Sequence, residues 1–254
     1  MNPKISVAII TKNEAHNISR AIKSCTQFDE VVIIDSESSD NTTTIAESMG
    51  ARCVIQPWPG FGEQKQTATE LCSNDWVLSL DADEELTPAL VERIKSLNLS
   101  DDAEAFSFKR VSFFLGKPVR FSGWQHDYVV RLFNRNRAHF SPRLVHEQII
   151  GYKKLTKLTG SSLRHYSYQS VADVEKKVDL YSELGAKELL KIRKTNFSPW
   201  VIFMKSIFAF IRTLFIRLGI FDGLTGFKIA LMNTRVTFLK YQKFNQLLKE
   251  EKNS

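Results

Sequence analysis

Carboxylates stand at three places where apolar runs begin or end: Asp35 after Val31-Val-Ile-Ile34, Asp81 and Asp83 after Trp76-Val-Leu-Ser-Leu80, and Asp127 just ahead of Val129–Phe133. A lone aspartate after a strand is ordinarily a turn residue or a helix cap, and Asp35 taken alone reads that way. Asp40, closing Asp35-Ser-Glu-Ser-Ser-Asp40, reads as the cap of the helix that follows. Asp81-x-Asp83 allows more chemistry. Two carboxylates one residue apart at the mouth of a parallel sheet can grip one hard cation through oxygen, and Mg²⁺ or Mn²⁺ held so keeps positions open for phosphate oxygens. The spacing is common by chance; its place directly after a buried strand gives it weight.

Such groups act together only if the fold brings them to one edge. Ile5–Ile10, Val31–Ile34, Cys53–Ile55 and Trp76–Leu80 are short, β-branched, apolar runs that read as buried strands. Helical spacing fills the gaps, over 13–26, 40–50, 61–72 and 88–97. Strand and helix in alternation predict an α/β fold with a mostly parallel sheet and helices on both faces. Ligands of such sheets sit beyond the carboxyl ends of the strands, where Asp35, Asp81 and Asp83 lie. The pattern then changes: 105–115, 129–133 and 155–159 read as strands among polar turns, and the chain reads as helical from Ser170, which forms a capping pair with Asp173. The expected organisation is a sheet domain over 1–165 and a helical, basic, amphipathic region over 166–254.

The whole chain of 254 residues has a net charge of +7, which hides a split. Residues 1–105 contain 8 Lys+Arg against 18 Asp+Glu, a net of −10, whereas 106–254 contain 27 against 10, a net of +17. A basic half of that strength expects an anionic partner: a membrane surface, a nucleic acid or a phosphorylated substrate. With 43% hydrophobic residues the composition excludes a collagen, a disulfide-stapled miniprotein and a mostly disordered chain. Met1–Ile10 has no basic region followed by an apolar stretch of about 7–15 residues, so no signal peptide is expected. Cys25, Cys53 and Cys72 are widely spaced and odd in number, which expects reduced thiols in a cytoplasmic protein.

Ser6-Val-Ala-Ile-Ile-Thr-Lys-Asn-Glu14, Asp35–Asp40 and Leu80-Asp-Ala-Asp-Glu84 resemble, in order and spacing, the motifs of family 2 glycosyltransferases of the GT-A fold. Gly62-Glu-Gln-Lys65, Val130-Arg-Leu-Phe133, Val145-His-Glu147 and Phe221-Asp-Gly-Leu-Thr-Gly226 extend the resemblance to the subgroup that adds a glucose-type sugar to the heptose of the lipopolysaccharide inner core. The resemblance implies an inverting transferase that uses a UDP-sugar and Mg²⁺ or Mn²⁺. It implies that Thr11 and Glu14 open the nucleotide pocket and that Asp35 accepts a hydrogen bond from the uracil imide. Lys65 would lie near the ribose and diphosphate, Asp81 at the ribose and the metal, and Asp83 on the metal. Inversion needs a base for the acceptor hydroxyl. The family's usual Glu-Asp pair is missing; Gln125-His-Asp127 and His146-Glu147 stand instead, with Asp127 the first choice and Glu147 the second. A salt bridge to Arg131, Arg135, Arg137 or Arg143 is the structural alternative for either. His126, His146 and His165 could ligate metal or phosphate, or be ordinary hydrogen-bonded residues.

In the basic half, Trp200–Leu218 places Trp200, Phe203, Met204, Ile207, Phe208 and Phe215 among others on one helical face, with Lys205, Arg212, Thr213 and Arg217 on the other. That pattern predicts an interfacial helix at an anionic bilayer, or else a core helix. Lys205 and Arg212 interrupt it, so no clean membrane-spanning helix is expected. Residues 226–248 form a second helix, and the arginines of 131–143 could meet acceptor phosphates. The expected partners are thus a UDP-sugar and a lipid A–core acceptor at the cytoplasmic face of the inner membrane, without nucleic acid. A different lipid-linked or cell-surface glycan acceptor, a nucleotidyltransferase and a nucleic-acid-binding protein are the competing readings. The second usually has a Gly-rich loop after the first strand, which Thr11-Lys-Asn-Glu14 lacks.

Overall fold

Every residue of β1 (Ile5–Thr11) is buried, as expected of a strand covered on both faces. The computed structural model describes residues 3–141 and 147–253; Arg143, Val145 and His146 of the motifs above lie outside them. The chain continues with α1 (Ile18–Cys25), β2 (Glu30–Asp35), α2 (Thr42–Ser48), β3 (Arg52–Ile55), α3 (Phe61–Glu70), β4 (Trp76–Asp81), β5 (Glu84–Leu86) and α4 (Pro88–Lys95). There follow β6 (Glu104–Phe114), β7 (Lys117–Pro118), β8 (Tyr128–Asn134), β9 (His139–Phe140), β10 (Ile149–Ile150) and β11 (Lys154–Tyr168). The helices α5 (Val171–Ile192), α6 (Pro199–Ile211) and α7 (Leu224–Asn253) complete the order, with a π-helical turn at Arg212–Ile216 and a 3-10 turn at Gly219–Asp222.

The main sheet has the order β3-β2-β1-β4-β8-β6-β11-β5, with β7 on β6. The first four strands are parallel, whereas β8 pairs antiparallel with β4 and β6, and β5 with β11. The α/β fold with a mostly parallel N-terminal sheet and a helical C-terminal region is therefore the one observed. β9 and β10 form a separate two-stranded sheet.

Two compact units divide the chain: 1–110 with 127–165, and 111–126 with 166–254. In the first, alternation along β1 feeds two cores. Val7 and Ile9 pack with Ile18, Ile22, Leu90 and Ile94, whereas Ala8 and Ile10 pack with Val32, Ile34, Ala68 and Cys72. In the second unit, Phe114, Tyr168, Val178, Ile229 and Met232 form one core, and Ala186, Phe244 and Leu248 another. Ser170 caps α5 through a full capping box with Asp173, and Ser198 with Pro199 opens α6, as the sequence predicts.

Candidate functional site

Register places the expected donor-site residues side by side. Thr11 pairs with Asp35 across β1 and β2, and Ile10 with Asp81 across β1 and β4, so all three strands end at one edge of the sheet. Asp35 is fully buried; it accepts from Ser38 N at 2.7 Å and Ser38 Oγ at 2.5 Å. The Thr11 hydroxyl is buried and, among the described residues, has no hydrogen-bond partner. Buried polar groups are nearly always satisfied, so an orphan in register with Asp35 is an exception at this edge of the sheet. Glu14 accepts from Asn17 at the start of α1. Asp40 accepts from Thr42 N at 3.0 Å and Ala15 N at 3.2 Å, from one residue ahead of Asn41, which holds the N-cap position of α2 that the sequence reading gave to Asp40.

A chain of charges starts at Asp81. Lys65 Nζ, buried on α3, lies 2.8 Å from Asp81 Oδ1 and 2.7 Å from Glu147 Oε1. Arg131 on β8 lies 2.7 Å from Asp81 Oδ2 and 2.6 Å from Glu84 Oε1. Glu84, with no exposed surface, also accepts from Asp81 N at 3.0 Å and faces Arg110 at 3.4 Å. Arg110 in turn donates to Asp127 Oδ2 at 2.7 Å. Burial pushes the Asp81 carboxyl pKa up, but Arg131 and then Lys65 outweigh it and hold the group far below the usual carboxylate range. Burial likewise opposes the charge on Arg131, and Asp81 and Glu84 outweigh it.

Both base candidates are ion-paired, though with different partners from those the sequence offered: Arg110 for Asp127 and Lys65 for Glu147. Arg135 and Arg137 prove structural. Arg135 donates to the carbonyl oxygens of Glu70 and Cys72, and Arg137 to Asp102 at 2.8 Å. They follow Asn134, which pairs with Trp76 at the start of β4, the opposite end of that strand from Asp81. Of the run's arginines among the described residues, Arg131 thus lies by Asp81 and Arg135 and Arg137 lie past the other end of β4.

Asp83 Oδ2 faces His165 Nε2 at 3.3 Å, because β5 pairs with β11 in a register that sets His165 against Glu84. Among the described residues, no three His, Cys, Asp or Glu side chains form a ready metal cage. With Asp81 occupied by two cations, Asp83 and His165 offer one carboxylate and one imidazole side by side among the described residues. That pair fits a divalent ion that takes its other ligands from water and a diphosphate.

Sequence reasoning missed Arg131 as the partner of Asp81, Glu84 as the buried anchor, and Gln64. Gln64 is fully buried and donates to Ser36 Oγ at 2.9 Å. A signal existed: Gln64, Lys65, Ala68 and Thr69 occupy the buried face of α3, where helical periodicity asks for apolar residues.

Glycosyl transferase family 2 matches residues 6–164. An "Uncharacterized glycosyltransferase" of Rickettsia felis is 33% identical over 264 residues, covering 98% of this chain and 92% of the relative. The "Lipopolysaccharide core biosynthesis glycosyltransferase LpsC" of Rhizobium meliloti is 30% identical, covering 97% and 94%. Among solved structures, glucosyl-3-phosphoglycerate synthase from Mycobacterium tuberculosis, in complex with Mn²⁺, UDP and glucosyl-3-phosphoglycerate, is 28% identical. That match covers 45% of each chain with a TM-score of 0.36.

Proposed function

The chain belongs to glycosyl transferase family 2, and on that premise we propose that it moves a hexose, glucose first, from a UDP-sugar to the heptose of the lipopolysaccharide inner core. The observation that carries the donor side is the row of Thr11, Asp35 and Asp81 at one sheet edge, with a buried unpartnered hydroxyl in it. The similarity to a lipopolysaccharide core transferase supports the acceptor class. Asp35 and Thr11 would meet the uracil, with Glu14 at the mouth of that pocket. Lys65 would reach the diphosphate, and Asp81, held ionised by Arg131 and Lys65, would meet the ribose. Asp83, with His165 beside it, would hold Mg²⁺ or Mn²⁺, whose chemistry is to neutralise charge on the departing UDP, and Asp81 would join them only where Lys65 or Arg131 releases it.

Inversion proceeds by attack of the acceptor hydroxyl on the anomeric carbon as the bond to UDP breaks, with the hydroxyl proton passing to a carboxylate. Asp127 is the first choice for that base; its side chain is 30% exposed. Glu147, tied through Lys65 to Asp81, is the second. The product stays with a lipid, so the protein would act as a peripheral enzyme at the cytoplasmic face of the inner membrane.

The test is UDP release from UDP-glucose with heptosylated lipid A core and Mg²⁺ or Mn²⁺. Removing the cation with chelator, or making Asp83→Ala, is expected to lower turnover by about 10³-fold, the worth of several kcal/mol of charge stabilisation. Asp127→Asn is expected to lower kcat by about 10²–10⁴-fold, and Glu147→Gln by less; the reverse order reassigns the base. No UDP release with any common nucleotide sugar would refute the reading, and release only with another lipid-linked glycan would redirect the acceptor.

A further inference from the structure

The buried positions of α6 and the π-helical turn after it are Ile202, Ser206, Ala209 and Thr213, spaced four, three and four apart. This stripe packs on α7, where Asn233 Nδ2 donates to Thr213 Oγ1 at 3.1 Å. The face opposite the apolar one is therefore occupied by a helix, not by a cationic solvent-facing side. Lys205 and Arg212 fall at one margin of the outward face and Arg217 at the other. The outward face itself is apolar and open: Trp200, Phe203, Phe208 and Phe215 are each half or more exposed. It continues through the turn, where Phe221 is 69% and Leu224 81% exposed, and onto α7 at Phe227 and Leu231.

A patch of this extent is rare on a protein surface unless something covers it, and charge indicates what. From Pro199 to Lys249 there are eight Lys and Arg and one acidic residue, Asp222. Asp222 is spent internally, accepting from Arg120 N, Phe121 N and Ser122 Oγ. Arg212, Arg217 and Lys228 border the apolar face and form none of the ion pairs found among the described residues. An apolar face rimmed by unpaired cations complements one kind of surface, an acyl layer under anionic headgroups.

We propose that the α6–α7 hairpin lies in the plane of an anionic lipid leaflet, its outward aromatic face in the acyl region and Arg212, Arg217 and Lys228 among the headgroups. This rests on the membrane association in the reading above and assigns it a surface. By length and composition Pro199–Ile216 could cross a bilayer. Packing of its inner stripe on α7 and the marginal Lys205 and Arg212 favour the in-plane arrangement.

The experiment is flotation of the full chain with vesicles of phosphatidylcholine alone or in a three-to-one mixture with phosphatidylglycerol. The chain is expected to float with the anionic vesicles and less with the neutral ones, and raised salt is expected to weaken flotation. Phe208→Glu with Leu224→Glu alters only exposed positions, so folding, read by circular dichroism, is expected to be retained. Its bound fraction is expected to fall about tenfold or more. Ile55→Glu, an equally exposed apolar site in the other unit, is expected to float like the parent. Failure of the unaltered chain to float with anionic vesicles overturns the proposal. So does equal flotation of the double variant, or a dimer that the double variant splits without any flotation. UDP-glucose turnover of the unaltered chain in detergent reads the transferase proposal separately, so either can fail alone.

Discussion

Arg131 is buried, bonds two carboxylates, and keeps its Nε without an acceptor among the described residues. Removing one member of a buried ionic network leaves uncompensated charge, which costs about 3–5 kcal/mol. Arg131→Ala is therefore expected to destabilise the chain by about that amount in urea unfolding, because Glu84 then keeps the Asp81 N–H but, among the described residues, only the long contact to Arg110 as a cation partner. Arg131→Lys should recover part of the loss, since one ammonium can replace the charge but not the fork that reaches both carboxylates. Equal stability of parent and Arg131→Ala would contradict this account. In the sequence, Arg131 was visible only as a basic residue inside Val130-Arg-Leu-Phe133. Asp35, Asp81 and Asp83 were legible because strand ends are set by local patterning. The long-range partners of Asp81 and Asp83 were not, because Arg131 and His165 come from 50 and 82 positions downstream through antiparallel pairings that one sequence does not encode locally.

The same division holds for elements. The parallel strands and helices up to Lys95 follow the predicted bounds within a few residues, because their apolar periodicity is self-contained. β5 and β11 do not. Glu84–Leu86 is too acidic to read as a strand, and 160–168 too polar; each is extended through pairing, with Leu86 opposite Leu163. The turn between α6 and α7 depends on a close approach that local pattern does not reveal. A Cβ on Gly226 would lie 1.8 Å from the Gly219 carbonyl oxygen, backbone that has little room to move. Gly226→Ala is expected to cost about 1–3 kcal/mol, at the upper end of the range, through overpacking. Thr225→Ala beside it should cost less, and thermal unfolding of the two variants compares them. Equal midpoints would mean that the turn yields.

At the scale of the whole molecule the charge split follows the chain: the acidic stretch supplies most of the sheet edge proposed for the nucleotide-sugar and the basic one the hairpin. Cysteine follows the same division, with Cys25, Cys53 and Cys72 all in the first unit. Cys25 and Cys72 lie in the cores on opposite faces of the sheet. Burial pushes both thiols up to about 12, helped at Cys72 by Glu30, and pushes Cys53 to about 11, helped by Glu47. A thiol whose folded pKa exceeds its unfolded value stabilises the fold fully below the unfolded value, about 8.5. That contribution is lost as pH climbs from there toward 12, because only the unfolded chain ionises, at up to about 1.4 kcal/mol per thiol per pH unit. The urea midpoint of the parent is thus expected to fall between pH 8 and 10.5, and to fall less steeply in Cys25→Ala. Parallel slopes would show that Cys25 does not contribute. At pH 8 under native conditions, iodoacetamide should modify Cys25 and Cys72 only as fast as the first unit opens. Since the second unit has no thiol, that rate reports the first unit alone, and a UDP-sugar that binds there, as proposed, is expected to slow it.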